Sequence, residues 1–319
     1  MDGERDYSVA PSGPGHSLVV PETCAGLRLD QALAQCFPQY SRSQIKNWVE
    51  AGRVRVDGSE AAPKRRMRGL ETVTLDPDDS STQTADRPED IPLGIVFEDD
   101  HIVVLDKPAG LVVHPGAGNR TGTLLNALLS HAPRLEHLPR AGIVHRLDKE
   151  TSGLMVVAKT LEAQTDLVRQ LQARSVSRVY LAIAEGRIEK SGSVDAPIGR
   201  HPAHRTRMAI VERGRPARTH YRPLQSGSGW TLVECTLETG RTHQIRVHLQ
   251  HIGHPLVGDP VYGKRTSINL RSATAFNRQA LHATTLSLEH PASGARMSWS
   301  SSPPADFDDL LNALKTACP

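Results

Sequence analysis

The densest polar run in an apolar setting is Gly142-Ile143-Val144-His145-Arg146-Leu147-Asp148-Lys149-Glu150-Thr151-Ser152-Gly153, which leads into the apolar stretch 154–158. Charged residues and a glycine ahead of a strand imply a loop held against a sheet. A carboxylate presented there can attack an electrophile or take a proton. The same residues also suit a salt-bridged turn in which Thr151 and Ser152 satisfy backbone groups. Two other patterns invite chemistry and fall short. His248, His251 and His254 recur every third residue, but Gly253 and Pro255 end a helix between the second and third and no carboxylate stands at a ligand-like offset, so no metal site is expected. Residues 116–122, Gly-Ala-Gly-Asn-Arg-Thr-Gly, have neither the GxGxxG spacing nor the Lys-Ser/Thr of a phosphate-binding loop.

The elements that must position such a loop are short. Strand-like runs at 102–105, 154–158, 179–184 and 231–237 alternate with a few helices and many turn clusters, without the regular strand-helix period of a doubly wound sheet. The expected class is α+β with a mostly antiparallel, mixed sheet over residues 93–319. A helix is expected over 242–252, with Thr242 at its N-cap and Arg241 just outside, so that free backbone donors lie beside the site.

Ahead of this region the chain changes character. Residues 1–17 carry Pro, Gly and Ser without apolar period and read as a disordered tail. From Leu29 the positions Ala32, Leu33, Cys36 and Phe37 keep helical spacing until Pro38. Ser41 and Gln44 have the form of a capping box for a second helix with the stripe Ile45, Trp48, Val49, closed by Gly52. Val54 and Val56 then alternate with Arg53 and Arg55 before an Asp57-Gly58 hairpin turn. Residues 40–70 hold eight Lys or Arg and three acids, whereas 71–100 hold ten acids and one Arg. Residues 77–92 are acidic, Ser/Thr-rich and Pro-bounded, which is linker chemistry. The expected organisation is therefore a tail at 1–17, a small basic unit at 18–76, a linker at 77–92 and the larger domain at 93–319.

Composition fits this division. At 319 residues the chain has room for two ordinary domains, and 38% hydrophobic with 23% charged residues is soluble globular usage. No apolar stretch approaches the ~20 residues of a membrane span and no signal segment opens the chain, so a cytoplasmic protein with no membrane partner is expected. The four cysteines form no Cys-x-x-Cys pair and read as reduced thiols. Net charge is only +3, so any polyanionic partner must be met by local clusters, one of them the seven arginines between Gly199 and Arg222.

Two resemblances organise these observations. The sequence RLDQALAQCFPQYSRSQIKNWVEAGRVRVDG resembles the S4 RNA-binding module, and implies that Arg42, Lys46, Arg53 and Arg55 face RNA. A solvated basic helix face would look the same. The run GIVHRLDKETSGLMVVAKT is similar to the catalytic motif of the RluA family of RNA pseudouridine synthases. Ser177-Arg178-Val179-Tyr180, LETGRTHQIRVHLQHIGHPLVGDPVYG from Leu237, and Gln279-Ala280-Leu281-His282-Ala283 follow in the family's order. The likeness spans about residues 90–300 and is greatest to members that act on large-subunit rRNA.

The resemblance implies that Asp148 is the catalytic carboxylate, Tyr180 the aromatic against the target base, and Arg241 the ion-pair partner of Asp148. The reaction breaks the N1–C1′ bond of uridine, turns the uracil and joins C5 to C1′ without redox change or net hydrolysis, so no cofactor is required. One carboxylate can serve an acylal, a Michael-adduct or a glycal route alike. A guanidinium grips a carboxylate with two hydrogen bonds and stays charged, which suits the partner role. The expected partner is RNA, implied to be the helix 69 stem-loop of 23S rRNA, free or in a pre-50S particle, with the protein a monomer. His145, Arg146, Arg200, Arg205, Arg207, Arg215, Thr242 and His243 are the candidate RNA contacts in the larger domain. A sister enzyme on another rRNA or tRNA stem-loop, and a non-catalytic ribosome-assembly factor, are the alternatives. A glycosidase would want two carboxylates flanking one bond, and only Glu150 stands near.

Overall fold

A computed structural model describes residues 16–37, 40, 42–76, 87–116, 118–204, 206–263 and 276–317. Outside them lie 1–15 of the expected tail, Pro38, Ser41 of the expected capping box, 77–86 of the expected linker, and Arg205. The chain divides into two compact units, Met1–Ala85 and Asp86–Pro319.

In the first unit, strands β1 (His16–Val19), β2 (Val54–Val56), β3 (Ser59–Glu60) and β4 (Thr72–Leu75) form a sheet in the order β1-β4-β2-β3. Helices α1 (Leu29–Cys36) and α2 (Arg42–Glu50) bury Leu29, Leu33, Ile45 and Trp48 in one cluster with Val54, Val56 and Val73 from the sheet. The hairpin turn comes where Asp57-Gly58 predicts it, with both residues at positive φ (51° and 76°). His16 and Ser17, expected in the tail, belong to β1. Antiparallel pairing opposite Leu75 and Thr74 and a bond between His16 and the Tyr40 hydroxyl hold them, which composition does not reveal.

The second unit is built on a nine-stranded sheet. Its strands are β5 (Gly94–Glu98), β6 (Ile102–Lys107), β7 (Ser152–Ala158), β8 (Ser177–Glu185), β9 (Gly192–Asp195), β12 (Arg218–Gly227), β13 (Trp230–Leu237), β14 (Leu281–Glu289) and β15 (Arg296–Ser300). A separate hairpin pairs β10 (Ile198–Arg200) with β11 (Met208–Ile210). Every ladder of the large sheet is antiparallel except β7 on β14, so the sheet is mixed as the sequence suggests. The central strands are buried on both faces, and this is why they read as continuous apolar runs. One face carries Val103, Leu105, Met155, Val157 and Ala182 against α3 (Leu124–His131) and α5 (Gln244–His251). The other carries Ile102, Val104, Leu154 and Val156 against α4 (Leu161–Ala173), while the C-terminal α6 (Ala305–Ala317) packs over Ile183 and Trp230.

Residues 87–92, expected in the linker, are fastened to this unit. Asn126 donates to the Arg87 carbonyl at 2.8 Å and the Glu89 carboxylate accepts from Gly122 N–H at 3.0 Å. Among the described residues no helix is long and apolar enough to cross a membrane.

Candidate active site

Two glycines bound the loop that carries Asp148, and neither position admits a side chain. Gly142 has φ 76°, and a Cβ there would lie 1.9 Å from the Ala158 carbonyl oxygen. Gly153 has φ 111°, and its Cβ would lie 2.3 Å from the Ala283 oxygen, where β7 meets β14. Between them Ile143 and Leu147 sink into the core. Thr151 N–H closes the turn on the Asp148 carbonyl at 3.0 Å.

Buried side chains of β6 and of the segment ahead of β14 hold this turn, together with His145 of the loop itself. The Lys107 ammonium donates to the carbonyls of Pro108, Leu111 and Lys149 at 2.7, 3.0 and 3.0 Å. Burial lowers its pKa to about 8. Arg278 donates to the Glu150 carbonyl, and Gln279 to the Thr151 hydroxyl. His145 accepts the Val156 N–H on Nε2 at 3.1 Å, and burial pushes its pKa down to about 3. An imidazole bonded to the sheet supports the loop, and the same side chain lines the groove beside Asp148.

Asp148 projects into a groove of about 970 Å³ that Tyr180, Arg146, Arg215, Arg241, Thr242 and His243 also line. Tyr180 stands on β8, buried to 6% exposure, and burial raises its pKa. Arg241 is not the partner of Asp148. Its Nε donates to the Pro216 carbonyl at 3.1 Å. The partner is Arg246, whose Nη1 lies 2.9 Å from Asp148 Oδ2. The rest of its fork grips buried Asp259, Nε to Oδ2 at 2.7 Å and Nη2 to Oδ1 at 2.9 Å. Burial works against the Arg246 charge, but the two carboxylates outweigh it and raise its pKa. Asp259 is held below the usual carboxylate range, its burial outweighed by Arg246 and by the N–H groups of Tyr262 and Val261.

Helix α5 is capped one residue later than expected. Its N-cap is His243, at φ 58°, in place of Thr242, which stays exposed. Buried Gln244 shapes the turn, its carbonyl oxygen accepting from Thr239 Oγ1 and Arg241 N–H at 2.7 and 3.0 Å. The αL residue turns the His243 ring back, with Nε2 3.8 Å from Asp148 Oδ1 and Nδ1 2.8 Å from the Tyr262 hydroxyl. That hydroxyl also accepts Met208 N–H at 2.9 Å; when it donates its own proton to Nδ1, the imidazole proton sits on Nε2, facing the carboxylate. Burial keeps this imidazole neutral, against the pull of Asp148.

The remaining expected contacts scatter. Arg200 ends β10 and Arg207 precedes β11, away from the groove lining. In the first unit Arg42 is bound to buried Asp30, Lys46 to Glu50 and Arg53 to Asp76, while Arg55 makes no ion pair among the described residues. His248, weighed as a ligand, instead bonds Thr219 Oγ1 and the Ala196 carbonyl.

Residues 101–251 match the RNA pseudouridylate synthase family and 27–69 the S4 domain. Curated relatives called ribosomal large subunit pseudouridine synthase D are similar along nearly their whole length. The one from Nitrosomonas europaea is 59% identical over 99% of this chain and 94% of its own, and that from Pseudomonas aeruginosa 54% over 93% and 94%. The solved structure of human RNA pseudouridylate synthase domain containing 4 superposes with a TM-score of 0.55 at 30% identity, covering 70% of this chain and 93% of that one.

Proposed function

The chain belongs to the RluA family of RNA pseudouridine synthases and carries an S4 domain, and from that premise we propose that it isomerises uridines of 23S rRNA in the helix 69 stem-loop, with Asp148 as the catalytic carboxylate. The observation that carries the residue assignment is the pairing of Asp148 with Arg246 inside the groove. Arg246 occupies Oδ2 alone. Oδ1 accepts no hydrogen bond among the described residues and faces the groove, so it is the oxygen available to the nucleotide.

Isomerisation breaks N1–C1′, forms C5–C1′, releases the C5 proton and returns a proton to N1. These events need one anionic oxygen, a flat surface on which the detached uracil can turn, and groups that relay protons. Tyr180 offers a ring face and a hydroxyl that burial keeps protonated. His243 brings its imidazole Nε2 to 3.8 Å from Oδ1. Neither role requires a cofactor. A uracil reaches such a groove only by leaving its stack, at a cost of a few kcal/mol, and this favours a loop over a paired stem.

Carbodiimide-primer-extension mapping on unmodified 23S rRNA treated with purified protein tests the target. Stops confined to helix 69 are the expected result. Stops elsewhere in 23S rRNA, or only in tRNA, transfer the same chemistry to another stem-loop.

A further inference from the structure

The mechanism above leaves one buried cation unexplained. Arg178 stands two residues before Tyr180 on β8, on the same face of the strand, and lines the groove. It is 7% exposed and its Nε is buried without a hydrogen-bond partner. Among the described residues no carboxylate is in ion-pair range of it. Arg174, Arg215 and Arg241 line the same groove. Burial pushes down the pKa of Arg241, and the charges of Arg215, Arg174 and Arg178 add to it. The nearby carboxylate of Glu238 is already taken up by Arg174 and His220.

A buried guanidinium with no counter-ion is costly and is normally paired. Here room is kept for it. A Cβ on Gly240 would lie 2.7 Å from Arg178 Nη1, and Gly240 does not have positive φ, so the glycine serves space and not backbone freedom.

We propose that Arg178 is a phosphate-binding residue, whose guanidinium takes a non-bridging oxygen of the phosphodiester beside the target uridine. This rests on the reading of the groove as an RNA site. The substrate supplies the counter-ion that the folded chain withholds, and the uridine is thereby fixed in register with Tyr180 and Asp148.

The test is a cycle between residue and phosphate. Stem-loop RNAs carry a single neutral methylphosphonate at each linkage around the target, with a 2′-O-methyl group on the 5′ sugar to prevent cleavage and matched 2′-O-methyl phosphodiester controls. Dissociation constants are measured for the full-length wild type, Arg178→Met and Gly240→Ala. The expected result is one linkage at which the neutral group weakens the wild type about tenfold and Arg178→Met not at all, with Arg178→Met itself about tenfold weaker on the control RNA. Gly240→Ala, which keeps the charge but displaces it, loses part of the same coupling. The melting temperature of Arg178→Met without RNA stays level or rises, since an unpaired charge has left the interior. Penalties that simply add at every linkage, or a fall in melting temperature with affinity unchanged, overturn the proposal. Turnover of the control RNA by wild type is followed in parallel. A protein that binds without forming pseudouridine defeats the proposed function and leaves the phosphate cycle readable.

Discussion

Arg246 Nη1 lies 2.9 Å from Asp148 Oδ2 across 98 residues of chain, joining the Asp148 loop to helix α5. Because the Nε and Nη2 edge is fixed on Asp259, the guanidinium is set before any substrate arrives. Replacing Arg246 with Met therefore has two effects. Turnover falls by about 10²–10³, as for loss of a preorganised electrostatic partner. Stability falls by about 3–5 kcal/mol, because Asp259 is left buried without its cation. Arg241→Met lowers turnover by less than about tenfold. Single-turnover kinetics and urea unfolding on the two variants measure both effects, and equal losses would contradict the assignment of Arg246.

In the first unit, charge and RNA binding separate. Asp30 is buried and Arg42 donates to it twice, so Arg42→Ala acts on stability, by no more than about 1 kcal/mol because the guanidinium is half exposed. It leaves the salt dependence of RNA affinity as it was. Arg55→Ala leaves stability alone and flattens the slope of log K against log salt by about 0.7–0.9, the loss of one phosphate contact. Binding titrations across a salt series distinguish the two.

Acid sensitivity follows from His145. Its pKa is about 3 in the fold against an ordinary 6.5, so between those values the unfolded chain binds a proton that the native state does not. Stability then rises with pH through this window and is lost as pH falls below 6.5, at about 1.4 kcal/mol per pH unit for one group. His145→Gln keeps an acceptor for Val156 N–H and does not titrate. Urea unfolding between pH 7 and pH 4.5 should show its slope reduced by about one proton relative to wild type.

The sheet was legible because its central strands are buried on both sides and declare themselves as apolar runs, and the S4 hairpin because Asp57-Gly58 suits positive φ at both positions. The order of separated motifs pointed to Asp148 and Tyr180, and the structure brings both to the lining of one groove. Arg246 was not legible, because Ile245, Val247 and Leu249 around it face different clusters and α5 is buried nearly all round, so no polar face marks the arginine. An arginine inside an apolar helix is itself the missed signal, since such a charge needs carboxylates. The αL turn at His243 was hidden too, because no residue type there announces positive φ. Lys107 ends β6, and no residue type near it shows that three backbone carbonyls converge on its ammonium.

The central claim is that Asp148 carries the chemistry, and tritium release from RNA labelled at uridine C5 tests it most directly, since the C5 hydrogen leaves only when the new glycosidic bond forms. Wild type should release tritium from the stem-loop. Asp148→Asn should release none above background while binding the same RNA within about tenfold of wild type. Release near the wild-type rate from Asp148→Asn would contradict the account.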